Sequence, residues 1–324
     1  MGAHLWCALI PLIPTESSEL TTQTYDDRPV IALLGIGLMG YPMACRLLDA
    51  GFALTAWNRS AEKSAPLAVL GARIASTPAA AVASAQVIVT MLESGAAVAQ
   101  VLDASIDAIA ASALVIDMSS TAQSEALVLH ARLCARGIAC LDAPVSGGVG
   151  GAESGRLAIM VGGTPDDFQR ATSVFAALGH ATLVGSAGAG QVAKLCNQLI
   201  VGATLNIVAE ALLLAQGAGA DPAAVRQALC GGFADSTILT VHGQRMLERD
   251  FRPGGQIKSQ VKDLENVLLA AAAAGLHLPL TELVSAHYRT LLASAPHADH
   301  SAILLVLEYA NPGQRLGMLR NRLP

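Results

Sequence analysis

The sequence predicts an α/β domain with a parallel-rich sheet, followed by an all-α domain joined to it by a long helix. Three observations carry this expectation: strand-length apolar runs alternate with helical patterns after Pro29, a glycine-rich turn follows the first run, and only helical periodicity remains from Gln191 onward. At 324 residues, 53% apolar and 14% charged, the chain has core enough for two domains and is neither disordered nor fibrous. The boundaries are expected at 29–189 and 190–324, with 1–28 a disordered extension or the product of a start codon placed too early. Leu5 to Ile13 is apolar but lacks a basic flank and a cleavage site and is broken by Pro11, so it is not expected to be a secretory signal.

The first domain opens as strand, turn, helix and strand. An apolar run ends at Gly35, the fingerprint Gly35-Ile36-Gly37-Leu38-Met39-Gly40 follows, Met43 to Leu48 continues with helical spacing, and a second strand covers Ala53 to Trp57. The first glycine permits the tight turn, the second lets backbone approach a pyrophosphate, and the third lets helix and strand pack closely. This is a Rossmann-type dinucleotide site with the phosphates at the helix start. A carboxylate at the ribose-reading position would favour NAD, but here the residues are Asn58-Arg59-Ser60. Arg59 can pair with a 2′-phosphate through its planar fork and Ser60 can add a hydrogen bond, so NADP is the expected cofactor, with NAD second. A solvated Arg59 in a site that accepts both is the alternative.

Gln86 to Leu92 and Ala113 to Met118 are expected as further parallel strands. Their ends, Met91-Leu92 and Ser119-Ser120, should line the cofactor crevice, because ligands in open α/β sheets sit beyond the carboxyl ends of the strands. Cys140 to Val145 then leads into Ser146-Gly147-Gly148. Free backbone N–H groups beside a hydroxyl suit an anion such as a carboxylate, although this tripeptide alone is more often just a loop.

In the second half, Gln191 to about Gly217 forms a helix of roughly 40 Å at 1.5 Å per residue. Further helical patterns cover Asp221 to Leu229, Ser236 to Arg249, Gln256 to Ala274, Pro279 to Ser294 and His300 to Ala310. These apolar, alanine-rich helices carry more hydrophobic surface than so small a domain hides, so a homodimer or homotetramer is expected. Leu195 to Gln216 is long enough to span a bilayer, but Asn197, Gln198, Asn206 and Glu210 argue for a buried helix of a soluble fold.

Lys194 sits where a glycine turn enters this helix, with Asn197 and Gln198 on the same face. A cation on a packed face is costly and usually has a chemical task, the alternative being that it snorkels to water. The net charge of −5 and the absence of a Lys/Arg cluster argue against nucleic acid and anionic membranes and leave a small molecule as partner. Six cysteines without C-x-x-C spacing read as reduced core thiols of a cytosolic protein. His242, His277, His287, His297 and His300 read as surface or packing residues, and no metal is expected.

Four motifs in this order, GIGLMGYPM (Gly35 to Met43), DAPVSGG (Asp142 to Gly148), GAGQVAKLCNQ (Gly188 to Gln198) and KDL (Lys262 to Leu264), resemble the β-hydroxyacid dehydrogenase family over about residues 29–311. The resemblance implies an NAD(P)-dependent oxidoreductase acting on a short carboxylated aldehyde or hydroxyacid, with Lys194 catalytic. It implies that Ser146, Gly147 and Gly148 hold the substrate carboxylate, that Asn197 or Gln198 orients the substrate, that Ser120 lies on the nicotinamide side, and that Lys262 reaches the cofactor from the second domain. Asp263 matches a position important in relatives that reduce glyoxylate and succinic semialdehyde; a capping or ion-pairing carboxylate is the alternative. GGFADST, LPLT, DHSA and Gln198 point to the branch that reduces tartronate semialdehyde to glycerate. Gly255 stands where relatives often have phenylalanine, which implies a wider pocket, and Asn58 stands where that branch carries Asp. Dehydrogenases of 3-hydroxyisobutyrate, threonate or other 3-hydroxyacids remain alternatives, as do reductases of glyoxylate or succinic semialdehyde. Lys194 argues against an imine reductase and against a non-catalytic NADP-binding interaction protein.

Overall fold

The computed structural model describes residues 28–324, so the expected extension lies, Arg28 apart, outside the described residues. Four short apolar runs become fully buried strands: β1 (Ile31–Leu34), β4 (Val87–Thr90) and β5 (Leu114–Asp117) at every position, and β2 (Leu54–Trp57) at all but its last. With β3 (Arg73–Ile74) and β6 (Ala139–Asp142) they form a parallel sheet in the order β3-β2-β1-β4-β5-β6. This is the doubly wound order in which ligands bind where the strand order reverses, between β1 and β4.

The run Cys140 to Val145 is not one strand. Pro144 carries no N–H, and Ala143 donates to the Asp117 carbonyl at 2.7 Å, so the chain leaves the ladder after β6 and resumes as β7 (Val145–Ser146). Two longer strands extend the sheet beyond the expected set. β8 (Leu157–Gly162) runs antiparallel to β6 and β7, and β9 (Gly179–Gly185) runs parallel to β8. β9 is exposed at alternate positions and so lacks a continuous apolar signal.

The connecting helix spans Ala189–Gly217, 29 residues. Its start is gripped by the sheet: Asp142 accepts from the backbone N–H groups of Gly188 (2.7 Å) and Gln191 (2.9 Å). A carboxylate there complements the positive end of the helix. Gln191 adds a second clamp, accepting from Thr121 N (3.0 Å) and donating to Ser119 O (2.8 Å). Lys194 follows one turn later, held in register with the strand ends. By length and composition this helix could cross a membrane, but half of that window is buried inside the fold.

The rest is helical, with Pro222–Leu229, Gly243–Glu248, Ile257–Ala273, Pro279–Leu292 and Leu304–Ala310 enclosing a second core of Leu212, Phe251, Leu264, Tyr288 and Leu304. The expected helix Ser236 to Arg249 is interrupted by a π-helical turn at Ile238–His242. The cysteine expectation needs correction: Cys140 is buried, Cys45 is half-buried, and Cys134, Cys196 and Cys230 are exposed thiols. Cys134 and Cys196 lie on outward helix faces and Cys230 caps the end of helix Pro222–Leu229, which position in an apolar stretch alone does not reveal.

Candidate active site

The glycine loop is shaped by close approaches at two positions and open space at a third. At Gly35 (φ 108°) a Cβ would lie 2.3 Å from the Met91 carbonyl, and at Gly40 it would lie 1.9 Å from the Gly35 carbonyl, so neither position admits a side chain. Nothing approaches Gly37 within 4 Å, which leaves its backbone bare beside the start of helix Gly40–Asp49. This cradle fits a pyrophosphate. Ile36 is buried within it, whereas Leu38 is exposed and Met39 is half-buried at the rim.

Asn58 ties the loop to the second strand: its Oδ1 accepts from Ile36 N (2.9 Å) and its Nδ2 donates to Ser60 O (2.9 Å). Arg59 projects into solvent from this fixed turn with no hydrogen bond or ion pair among the described residues. Across the crevice, Leu92 N donates to the Ser119 hydroxyl oxygen at 3.0 Å, bringing the ends of β4 and β5 together. Asp117 beneath them accepts from Thr90 Oγ1 (2.7 Å) and Ser119 N (3.0 Å); burial raises its pKa to about 6.

Lys194 is 8% exposed, which excludes snorkelling. Burial lowers its pKa to about 8, the nearby Asp263 carboxylate opposing the shift and Lys262 adding to it. Its Nζ donates to Gln198 Oε1 (3.0 Å), which also accepts from Asn197 Nδ2 (2.8 Å). Gln198 Nε2 donates to Asp263 Oδ2 (2.6 Å), and Ser120 Oγ donates to Asp263 Oδ1 (3.3 Å). Lys262 reaches from helix Ile257–Ala273 to the carbonyls of Ser120 (2.8 Å) and Glu93 (3.4 Å) and pairs with Asp263 at 3.3 Å. One polar chain therefore joins Lys194, Asn197, Gln198, Asp263, Ser120 and Lys262 across the sheet and helical regions.

Ser146, Gly147 and Gly148 form a separate turn, hydrogen-bonded to none of that chain. Gly147 (φ 137°) and Gly148 (φ 61°) adopt backbone conformations that favour glycine, and the turn leads directly into helix Gly148–Glu153. The connecting helix packs against the strands that flank this turn.

Several site residues are not evident from sequence. Gln260 accepts from Gln198 Nε2 (3.3 Å) and donates to Gln198 O (3.1 Å), so it fixes the amide that Lys194 uses. A glutamine three residues before the aspartate of KDL is the available signal, since helical spacing puts both on one face. Gly255 does not open the pocket as expected: a Cβ there would lie 2.5 Å from His300 Cε1 and Nε2, because the His300 ring fills that space. His242, distant in sequence, converges with the adjacent Asp299 and His300, one donor atom from each inside 4.8 Å. The Asp299 carboxylate is already engaged by Ser301 N (3.0 Å), Gly255 N (3.1 Å) and His242 Nδ1 (3.3 Å), with Arg245 at 3.5 Å. These contacts make it a structural anchor.

Two family descriptions match the chain in tandem: the NAD binding domain of 6-phosphogluconate dehydrogenase over residues 30–188, and the NAD-binding domain of NADP-dependent 3-hydroxyisobutyrate dehydrogenase over residues 188–307. The 2-hydroxy-3-oxopropionate reductase of Escherichia coli (strain K12) is 41% identical over 86% of this chain and 97% of its own length. A probable mitochondrial 3-hydroxyisobutyrate dehydrogenase-like protein of Arabidopsis thaliana is 32% identical over 92% of this chain and 90% of its own. Among solved structures, Mycobacterium tuberculosis 3-hydroxyisobutyrate dehydrogenase with L-serine superposes with a TM-score of 0.79 at 30% identity, covering 86% of this chain and 99% of that one. Psf3 in complex with NADP+ and 2-OPP gives a TM-score of 0.78 at 25% identity, covering 86% and 100%. A glycine cradle for a dinucleotide, a buried lysine at the strand ends and relatives matched along nearly their whole length lead to one conclusion: the chain belongs to the β-hydroxyacid dehydrogenase family of NAD(P)-dependent oxidoreductases, the family of 3-hydroxyisobutyrate dehydrogenase.

Proposed function

We propose that the protein reduces tartronate semialdehyde (2-hydroxy-3-oxopropanoate) to glycerate with NADPH, and that Lys194 is the proton donor. The observation that carries this reading is the buried Lys194 ammonium, tied through Gln198 to Asp263. The identity to the 2-hydroxy-3-oxopropionate reductase supports the substrate.

Residues 29–189 hold the dinucleotide, with the backbone of Gly35, Ile36, Gly37, Leu38, Met39 and Gly40 at its phosphates. Arg59 and Ser60, on the turn fixed by Asn58, receive the 2′-phosphate, a guanidinium unpaired among the described residues being suited to that charge. Met91, Leu92 and Ser120 flank the nicotinamide side, and Lys262 closes over it from the helical domain 190–324. When bound, the nicotinamide supplies a hydride to the aldehyde carbon.

The chain's own residues handle charge and proton. Ser146 and the backbone of Gly147 and Gly148 take the substrate carboxylate. As the carbonyl oxygen gains negative charge, the Lys194 ammonium faces it and then gives it a proton. A pKa of about 8 puts the lysine within reach of proton transfer in both directions near neutral pH. Gln198 and Asn197 fix the ammonium's direction, while Asp263 keeps it charged.

Free thiols at all five cysteines among the described residues support a reducing, cytoplasmic setting. Exposed Ile200, Ile207 and Leu214, seven residues apart along the connecting helix, support a homodimer or larger homo-oligomer. The test is a substrate and cofactor ranking by NAD(P)H oxidation. The highest kcat/KM is expected for tartronate semialdehyde with NADPH, above methylmalonate semialdehyde, glyoxylate and succinic semialdehyde; a higher value for any of these others sinks the substrate assignment.

A further inference from the structure

Asp117, the last residue of β5, spends only one of its two carboxylate oxygens. Its Oδ1 accepts from Thr90 Oγ1 (2.7 Å) and Ser119 N (3.0 Å), and these bonds fix the ends of β4 and β5. Its Oδ2 is buried and has no hydrogen-bond partner among the described residues, in a side chain only 1% exposed. Leaving a buried carboxylate oxygen unmet is costly, so one that borders a cavity points to a donor that belongs there.

Such a cavity is present. A cleft of about 240 Å³ lies between helices Gly95–Asp103 and Gln123–Cys134, and the end of β5 contributes Asp117 to its lining. The walls are mainly apolar, with Val98 and Ala99 on the first helix and Val128 and Leu129 on the second. Alanine at position 99 leaves space that a larger side chain would close. Glu125 adds a second carboxylate. It folds over the start of the first helix, where Gly95 makes room: a Cβ there would lie 2.3 Å from the Glu125 carboxyl group. Arg132, the cation in the lining, is already paired with Asp103.

Burial raises the Asp117 pKa to about 6, hydrogen bonds from Ser119 and Thr90 opposing the shift and the Asp142 charge adding to it, so at neutral pH the group is chiefly the anion. An apolar cleft with two carboxylates and a committed arginine suits a cationic donor on a hydrocarbon body. Its volume is below the roughly 300–1,000 Å³ of drug-sized sites, which limits the occupant to a few carbon atoms. No residue assigned above to cofactor or substrate lines it.

We propose that this cleft is a second ligand site, separate from the active site, that takes a short aliphatic primary amine as its ammonium ion. The ammonium donates to Asp117 Oδ2 and the hydrocarbon chain lies between Ala99 and Leu129. The inference does not depend on the substrate assignment.

The experiment titrates n-butylammonium, n-butanol and n-butyrate into the NADPH-loaded enzyme at neutral pH, followed by ligand-observed NMR. The proteins are wild type, Asp117→Asn and Ala99→Leu. Asparagine keeps an oxygen for Thr90 and Ser119 but replaces the unused oxygen with a donor, and leucine fills the cleft. Wild type should bind the ammonium about 10-fold or more tightly than the alcohol, and butyrate most weakly. Asp117→Asn should remove the preference for ammonium over alcohol. Ala99→Leu should weaken both by about 10-fold or more and leave the Kd for NADPH unchanged. No saturable ammonium binding by wild type, equal affinities for ammonium and alcohol, or ammonium binding that either variant leaves unchanged overturns the proposal. If Asp117→Asn does not fold, Ala99→Leu and the wild-type ratio decide the matter together.

Discussion

Gln198 Oε1 lies 3.0 Å from Lys194 Nζ, one helical turn away, and the same amide donates through its Nε2 to Asp263 at 2.6 Å. The ammonium is therefore oriented by its own helix, while its charge is sustained by a carboxylate from another. This division separates the position of the proton donor from its acidity, and each can be altered independently.

The alkaline limb of the pH profile should report Lys194. Reduction requires the ammonium, so kcat/KM for the aldehyde should be flat below about pH 8 and fall above it. Oxidation of the alcohol requires the free amine, so its rate should rise through the same pH. Profiles measured in both directions should cross in this way; parallel profiles would remove Lys194 from the proton transfer.

Asp263→Asn should move that limb to lower pH. The carboxylate raises the lysine's pKa against the effect of burial, and its loss favours the neutral amine. Turnover at pH 7 should drop roughly 10-fold while recovering as the pH is lowered. A limb that stays in place would make Asp263 merely structural.

Gln198→Leu keeps the bulk near the lysine but leaves Nζ and Asp263 without their shared partner. The variant should turn over roughly 10- to 100-fold more slowly, with little change in its affinity for NADPH, because the residue lies outside the glycine cradle. Fluorescence titration of the cofactor beside steady-state kinetics separates the two effects. Weakened NADPH binding with turnover intact contradicts the orienting role.

Arg59→Ala should raise the KM for NADPH about 10-fold or more and leave that for NADH within about 2-fold. Arg59 has no partner to lose among the described residues, so the effect isolates the 2′-phosphate. Equal effects on both cofactors would identify Arg59 as a general surface charge.

Much of the site is legible in the sequence because its chemistry requires rare residue types at fixed points. Glycines at 35 and 40 meet carbonyls at distances no side chain tolerates, and Lys194 is a buried cation beside two amides. The parallel strands announce themselves as apolar runs because both faces are covered. β8 and β9 do not: β9 alternates in exposure, and its pairing with β8 is a long-range choice that local pattern does not encode. Gly255 misleads for a related reason. Its missing side chain signals empty space, but the ring of His300, far along the chain, fills it, anchored by Asp299.

The most direct test of the central claim is the rate of NADPH oxidation with tartronate semialdehyde by wild type and Lys194→Ala, with NADPH affinity measured on both. The expected result is rapid wild-type turnover, a variant slower by about 100-fold or more, and an unchanged Kd for NADPH. Retention by Lys194→Ala of more than about a tenth of the wild-type turnover rate would contradict the assignment of the buried lysine as the proton donor.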